Sequence, residues 1–141
     1  MSNINKIRIN NVDYDITDGE TYDGIEKIIG TWFGQPLYQK EFRLTKAQLI
    51  ALSKDSNNRY LLPHSISGIG IATYRTIIGS TTENNVDMSV ADIYNSGNWN
   101  LCLYNINPTN IEIFAGVDIL NVLNGVSIII KYIKTTDVVN S

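Results

Sequence analysis

Apolar and polar residues alternate along this chain with a period of two far more often than they follow a helical spacing. Over residues 6–16, Ile7, Ile9, Val12, Tyr14 and Ile16 alternate with polar neighbours, and the phase slips by one at Asn10 and Asn11. That slip predicts two strands joined by a tight turn or a bulge. Residues 28–33 and 37–44 form a second pair of runs, separated by Gly34, Gln35 and Pro36. Glycine can take positive φ and proline removes a ladder donor, so a second tight connection is expected there. Only one segment reads as a helix: Thr45 is followed three residues later by Gln48 in a capping-box spacing, and then by Leu49, Ile50 and Leu52. Two turns at most are expected of it.

After a polar loop over residues 53–59, residues 66–78 carry Ile69, Ile71, Thr73 and Ile77 on one alternating face and predict a long strand. Gly68 and Gly70 within it lack the third glycine and following helix of a phosphate cradle, so they mark a bulge or a close backbone approach. Residues 79–98, rich in Ser, Thr and Asn, read as an extended loop with one edge strand. Three closing runs follow at 99–106, 111–115 and 126–134, and Asn124 with Gly125 is a dipeptide favoured in type I′ hairpin turns.

Composition sharpens the fold class. Isoleucine is the most frequent residue and alanine is scarce, a balance that suits pleated strands, where β-branched side chains pack well. The expectation is an all-β, antiparallel β-sandwich, jelly-roll-like, with seven to nine strands and one short helix. Residues 1–29 form an N-terminal hairpin and residues 30–141 the sandwich. A formal net charge of -3 leaves no basic footprint for nucleic acid or anionic lipid. The longest apolar stretch, residues 126–130 with Ser127 inside it, is far short of the roughly 20 residues of a membrane-spanning helix, so no membrane insertion is expected. The opening residues lack an apolar core of signal-peptide length, which predicts synthesis in a cytoplasm.

Candidate chemistry is sparse. The single cysteine, Cys102, lies in an apolar run and reads as a small buried hydrophobe. His64, the only histidine, with Asp55 nearby invites a hydrolase triad, but no G-x-S-x-G elbow accompanies it, and a loop histidine at a strand entry is the simpler reading. Asp13, Asp15, Asp18 and Glu20 miss calcium-loop spacing, because the glycine falls one position late, and read as solvated carboxylates. No metal, cofactor or catalytic residue is expected. Two Trp and eight Tyr against three Phe mean that most rings carry a polar handle, as at interfaces and sugar-stacking sites. Tyr74, Tyr94 and Trp99, nearest the long loop, are the candidate glycan platform, with structural positions at the sandwich edge as the alternative.

The segment Gly30, Thr31, Trp32, Phe33, Gly34, Gln35, Pro36, Leu37, Tyr38 resembles a recurring phrase of bacteriophage structural proteins, a Gly-Thr-Trp turn followed by Gly-x-Pro, an aliphatic residue and Tyr. Leu62, Pro63, His64, Ser65, Ile66 is similar to that family's Pro-His-Gly-Ile segment, with Ser65 in place of the glycine. The later runs follow the same order, so the resemblance covers residues 30–137. In such modules Trp32, Gly34, Pro36 and Tyr38 form a structural motif, a turn pinned by a ring at a rigid corner. The resemblance implies a noncatalytic virion protein, a small homotrimeric head-fibre, tail-fibre or capsid-decoration subunit on the particle surface, with other virion proteins of capsid or tail as partners. It also implies an attachment or assembly role for Ile7, Ile9, Val12, Tyr14 and Ile16. A host-receptor module that binds a surface glycan and a surface-polysaccharide hydrolase are the alternative functions.

Overall fold

The computed structural model describes residues 6–19, 23–81, 85–87 and 100–138. The elements in chain order are β1 (Lys6–Ile9), β2 (Val12–Asp15), β3 (Lys27–Trp32), β4 (Gln35–Thr45), α1 (Lys46–Ile50), β5 (Tyr60–Pro63), β6 (Ile69–Thr81), β7 (Asn85–Asp87), β8 (Leu101–Ile106), β9 (Asn110–Ala115), α2 (Val117–Val122) and β10 (Leu123–Lys134). They form three antiparallel sheets, of orders β1-β2, β3-β4-β10-β6-β7 and β5-β9-β8, an all-β fold of the expected sandwich class. Among the described residues no helix is long and apolar enough to cross a membrane.

The chain divides into two compact units. The first comprises Met1–Glu41, Ser67–Tyr74 and Ile129–Ser141, and the second Phe42–Ile66 and Arg75–Ile128. In the first unit, Asn10 and Asn11 take φ of 50° and 68° and close the β1-β2 hairpin, the conformation that a two-residue primed turn requires and that asparagine tolerates. Ile7 faces Tyr14 and Ile9 faces Val12 across this pair, while Lys6 opposite Asp15 and Arg8 opposite Asp13 occupy its other face. Those two charge pairs close at 3.0 and 3.1 Å on the exposed side. Asp13 and Asp15 are exposed, as expected of solvated carboxylates, and each also pairs with a cation across the hairpin; Asp18 is exposed, and Glu20 lies outside the described residues.

Phe33 and Gly34, at φ of 47° and 76°, form the β3-β4 turn, and Trp32 pairs with Gln35. The turn is thus tighter than the expected Gly34–Pro36 connection, and Pro36 is the second residue of β4. Its pair with Thr31 adjoins the closing pair, where ladder amides point away from the partner strand, so the missing N–H costs this hairpin no bond. Trp32 meets Phe33 edge to face, with centroids 4.7 Å apart.

In the second unit both halves of the predicted capping box are present: Gln48 N donates to Thr45 Oγ1 at 3.2 Å and Thr45 N to Gln48 Oε1 at 2.9 Å. Leu101, Cys102 and Leu103 of β8, with Ile111 and Ile113 of β9, are buried with Leu49, Ile77, Ile119 and Val126. Cys102 is free and buried, as its surroundings suggested. Periodicity does not reveal β5, whose sequence Tyr-Leu-Leu-Pro does not alternate, or α2, which is six residues long. β7 pairs with the end of β6 at the sheet edge, matching the edge strand expected within residues 79–98.

Asn124 and Gly125 do not form a turn. Because α2 already makes the connection from β9, the dipeptide lies inside β10. A methyl group added at Gly125 would sit 2.7 Å from the Leu44 carbonyl oxygen, so glycine is needed there for close approach of two backbones. At Gly68 the reason is different: its φ of 67° favours glycine, and a methyl there would meet a side chain, coming within 2.9 Å of Thr136 Cγ2. Replacing Gly125 by Ala is expected to destabilise the protein by about 1–3 kcal/mol, read as a lower urea midpoint with the slope unchanged.

Candidate functional site

A cluster of titratable side chains lies in the first unit, in a cleft of about 460 Å³ that Tyr14, Glu26, Tyr38, Lys134 and Asp137 help to line. Adjacent strands build its floor. β10 alternates, burying Ile130 and Tyr132, and its neighbour β4 presents Tyr38, so the two phenol rings stack at 5.7 Å with planes 14° apart. Each buried ring must place a hydroxyl, because an unbonded phenol away from water is costly. Tyr38 donates to Asp137 Oδ2 at 2.6 Å, and Tyr132 donates to Glu26 Oε2. Lys134, two residues beyond Tyr132 on β10, donates to Glu26 Oε1 at 2.7 Å. Its ammonium also lies 4.2 Å from the Tyr38 ring centroid, within cation–π range.

Burial, and then the hydrogen bond to Asp137, raise the Tyr38 pKa far above that of a free phenol. Burial and the bond to Glu26 do the same for Tyr132. Both phenols therefore stay neutral and donating, which fixes the acceptor atoms of the two carboxylates. The cleft holds a bound-proton network with set acceptors and one ammonium. Among the described residues, no group of three or more His, Cys, Asp or Glu could hold a metal ion.

The residues singled out in the sequence are distributed as follows. Ile7 and Ile9 are buried in the first unit, Ile9 beside the cleft, whereas Val12 and Tyr14 are about half exposed and Ile16 is half-buried. Pro36 and Tyr38 are buried, Trp32 is half-buried and Gly34 is exposed. Of the proposed glycan platform, Tyr74 is 48% exposed with Lys131 Nζ 4.9 Å from its ring centroid; Tyr94 and Trp99 lie outside the described residues.

His64 sits directly after β5 and is 1% exposed. Its Nδ1 accepts from Ile66 N at 2.9 Å and its Nε2 lies 2.8 Å from Asn107 O. An Nδ1 that accepts requires Nε2 to carry the proton, so both ring nitrogens hold loop backbone together. Asp55 likewise accepts from Asn57 N and Arg59 N, at 2.9 and 3.0 Å. The Arg59 amide bond above all holds its carboxyl below the usual carboxylate range, so this exposed turn keeps its caps above that range and loses them as pH falls through the lowered value.

Sequence reasoning missed Glu26, Tyr132, Lys134 and Asp137 as a group. Tyr132 lies 106 residues from Glu26, and Asp137 lies 99 from Tyr38; no local motif joins them. Comparison of the sequence with family models and curated proteins, and of the fold with solved structures, gave no match.

Replacing His64 by Ala strips partners from the Ile66 amide and the Asn107 carbonyl, and is expected to cost about 1–3 kcal/mol in a urea unfolding series. In alkali, the folded pKa values of Tyr38 and Tyr132 lie above the unfolded value of 10.0. Their contribution is therefore complete below that pH and is lost as pH rises beyond it. Urea midpoints should fall above about pH 10, and less steeply for Tyr132→Phe; equal slopes would contradict the role given to this hydroxyl.

Proposed function

We propose that this chain is a noncatalytic bacteriophage virion protein, a small homotrimeric fibre or capsid-decoration subunit displayed on the particle. The observation that carries the reading is the Gly30–Tyr38 motif with its turn: Phe33, at the tip of the β3-β4 hairpin, is 86% exposed. A large apolar ring presented at a rigid hairpin tip suits a surface that a neighbouring protein covers. Ile25 and Ile71 of the same unit, 64% and 56% exposed, add to the area available for burial between subunits.

On this reading, apolar burial around a closed symmetry axis gives stability without metal or disulfide. Repetition over a particle would turn weak individual contacts with a host surface into firm ones. Three protomers of 15.8 kDa should scatter light as a trimer at micromolar concentration, and the protein should be found in purified particles. Replacing Phe33 by Ser should shift the mass toward monomer while leaving the far-ultraviolet circular dichroism unchanged. A monomeric parent protein would refute the trimer, and absence from particles would refute the virion role.

The second reading, a glycan-binding module, is favoured by a different observation, the polar cleft of the first unit. A hydrolase is supported less well, because the hydroxyls of Tyr38 and Tyr132 already occupy oxygens of Asp137 and Glu26.

A further inference from the structure

We infer that the cleft lined by the β1-β2 hairpin with Glu26, Tyr38, Lys134 and Asp137 binds a neutral saccharide, one or two sugar rings in size. Its volume of about 460 Å³ falls within the roughly 300–1,000 Å³ of small-molecule sites. What distinguishes it is the arrangement of its polar atoms. Asp137 uses Oδ2 for the Tyr38 hydroxyl, and among the described residues its Oδ1 receives no donor. Each oxygen of Glu26 takes one donor, from Tyr132 or Lys134, and an ionised carboxylate oxygen can accept a second. Lys134 has three ammonium protons, of which Glu26 takes one.

Acceptors and a donor therefore stand side by side, as neighbouring hydroxyls on a sugar ring require, since each hydroxyl both donates and accepts. The phenols fix the carboxylates before any ligand arrives, which lowers the ordering cost of binding. Tyr14, 44% exposed at the cleft, supplies the face against which the C–H side of a ring can lie. The side-chain amide of Asn10, in the adjoining turn and without a partner among the described residues, adds one donor pair and one acceptor. Asp15, Glu26 and Asp137 against Lys27 and Lys134 leave the lining net negative, so an anionic sugar is disfavoured.

This site differs from the Tyr74, Tyr94 and Trp99 platform, and it does not rest on the virion role. A monomer that binds sugar would overturn the trimer and leave the cleft assignment standing.

The test is a nitrogen-15 NMR titration of the full chain with D-glucose, N-acetylglucosamine, L-rhamnose and lactose, with D-glucuronate and n-butylammonium as charged comparisons. At least one neutral sugar should shift the amides of Asn10, Thr17, Lys27 and Lys134 with millimolar affinity, and glucuronate should not. Tyr14→Ala and Asp137→Asn should each weaken binding by about fivefold or more, the loss of one good contact. Because Tyr14 is exposed, its variant should keep the parent spectrum elsewhere. Silence of every neutral sugar up to about 50 mM would overturn the assignment. So would shifts confined to the surroundings of Tyr74, or tighter binding of n-butylammonium in the cleft.

Discussion

The alternation of β10 is the constraint on which most else depends. This strand is hydrogen-bonded on both sides, to β4 and to β6, and buries Val126, Ile128, Ile130 and Tyr132 in turn. With a period of two, a slip of one residue would carry Ser127 and Lys131 to the buried side and Val126, Ile128, Ile130 and Tyr132 out. Register is therefore fixed strongly, and the positions at either end of the strand follow from it. At one end Gly125 admits the Leu44 carbonyl; at the other the apolar row ends in a tyrosine.

That last tyrosine accounts for the cleft. Had the row ended in another isoleucine, no polar group would need a partner. Tyr132 brings a hydroxyl into a buried position, and Glu26 accepts it. A partly buried carboxylate then calls for a cation, which Lys134 supplies from the same strand. Tyr38, stacked on Tyr132, repeats the arrangement with Asp137. One polar tip in an apolar row thus leads to two carboxylates, an ammonium and a pair of neutral phenols in one place.

Much of this fold was legible because local patterns decide it. The phase slip at Asn10 and Asn11 marks a real hairpin, Thr45 and Gln48 form a real capping box, and the predicted run at 99–106 contains β8 while those at 111–115 and 126–134 lie within β9 and β10. Where the sequence misled, a neighbour in space had overridden a local preference. Asn124 and Gly125 would suit a turn, but α2 had already made the connection. The alternating face of β6 reads as one apolar stripe, yet Ile71 is 56% exposed and Ile77 1%, a difference set by what covers each position. The cleft was illegible for the same reason: its members meet only when β4 and β10 lie side by side.

Phe33 carries a consequence for how this surface was selected. Its φ of 47° lies in the left-handed region, where the crowding of Cβ against the following carbonyl oxygen costs on the order of 1–2 kcal/mol relative to an ordinary conformation. Asparagine or glycine would close the same turn with less strain, and a polar residue would meet water better at an 86% exposed position. Both the backbone and the solvent therefore disfavour the ring, and its edge-to-face contact with Trp32 offsets part of that cost. A residue kept against two penalties at the tip of a hairpin is a standing handicap in the isolated chain, and burial of the ring would remove only the solvent part of it.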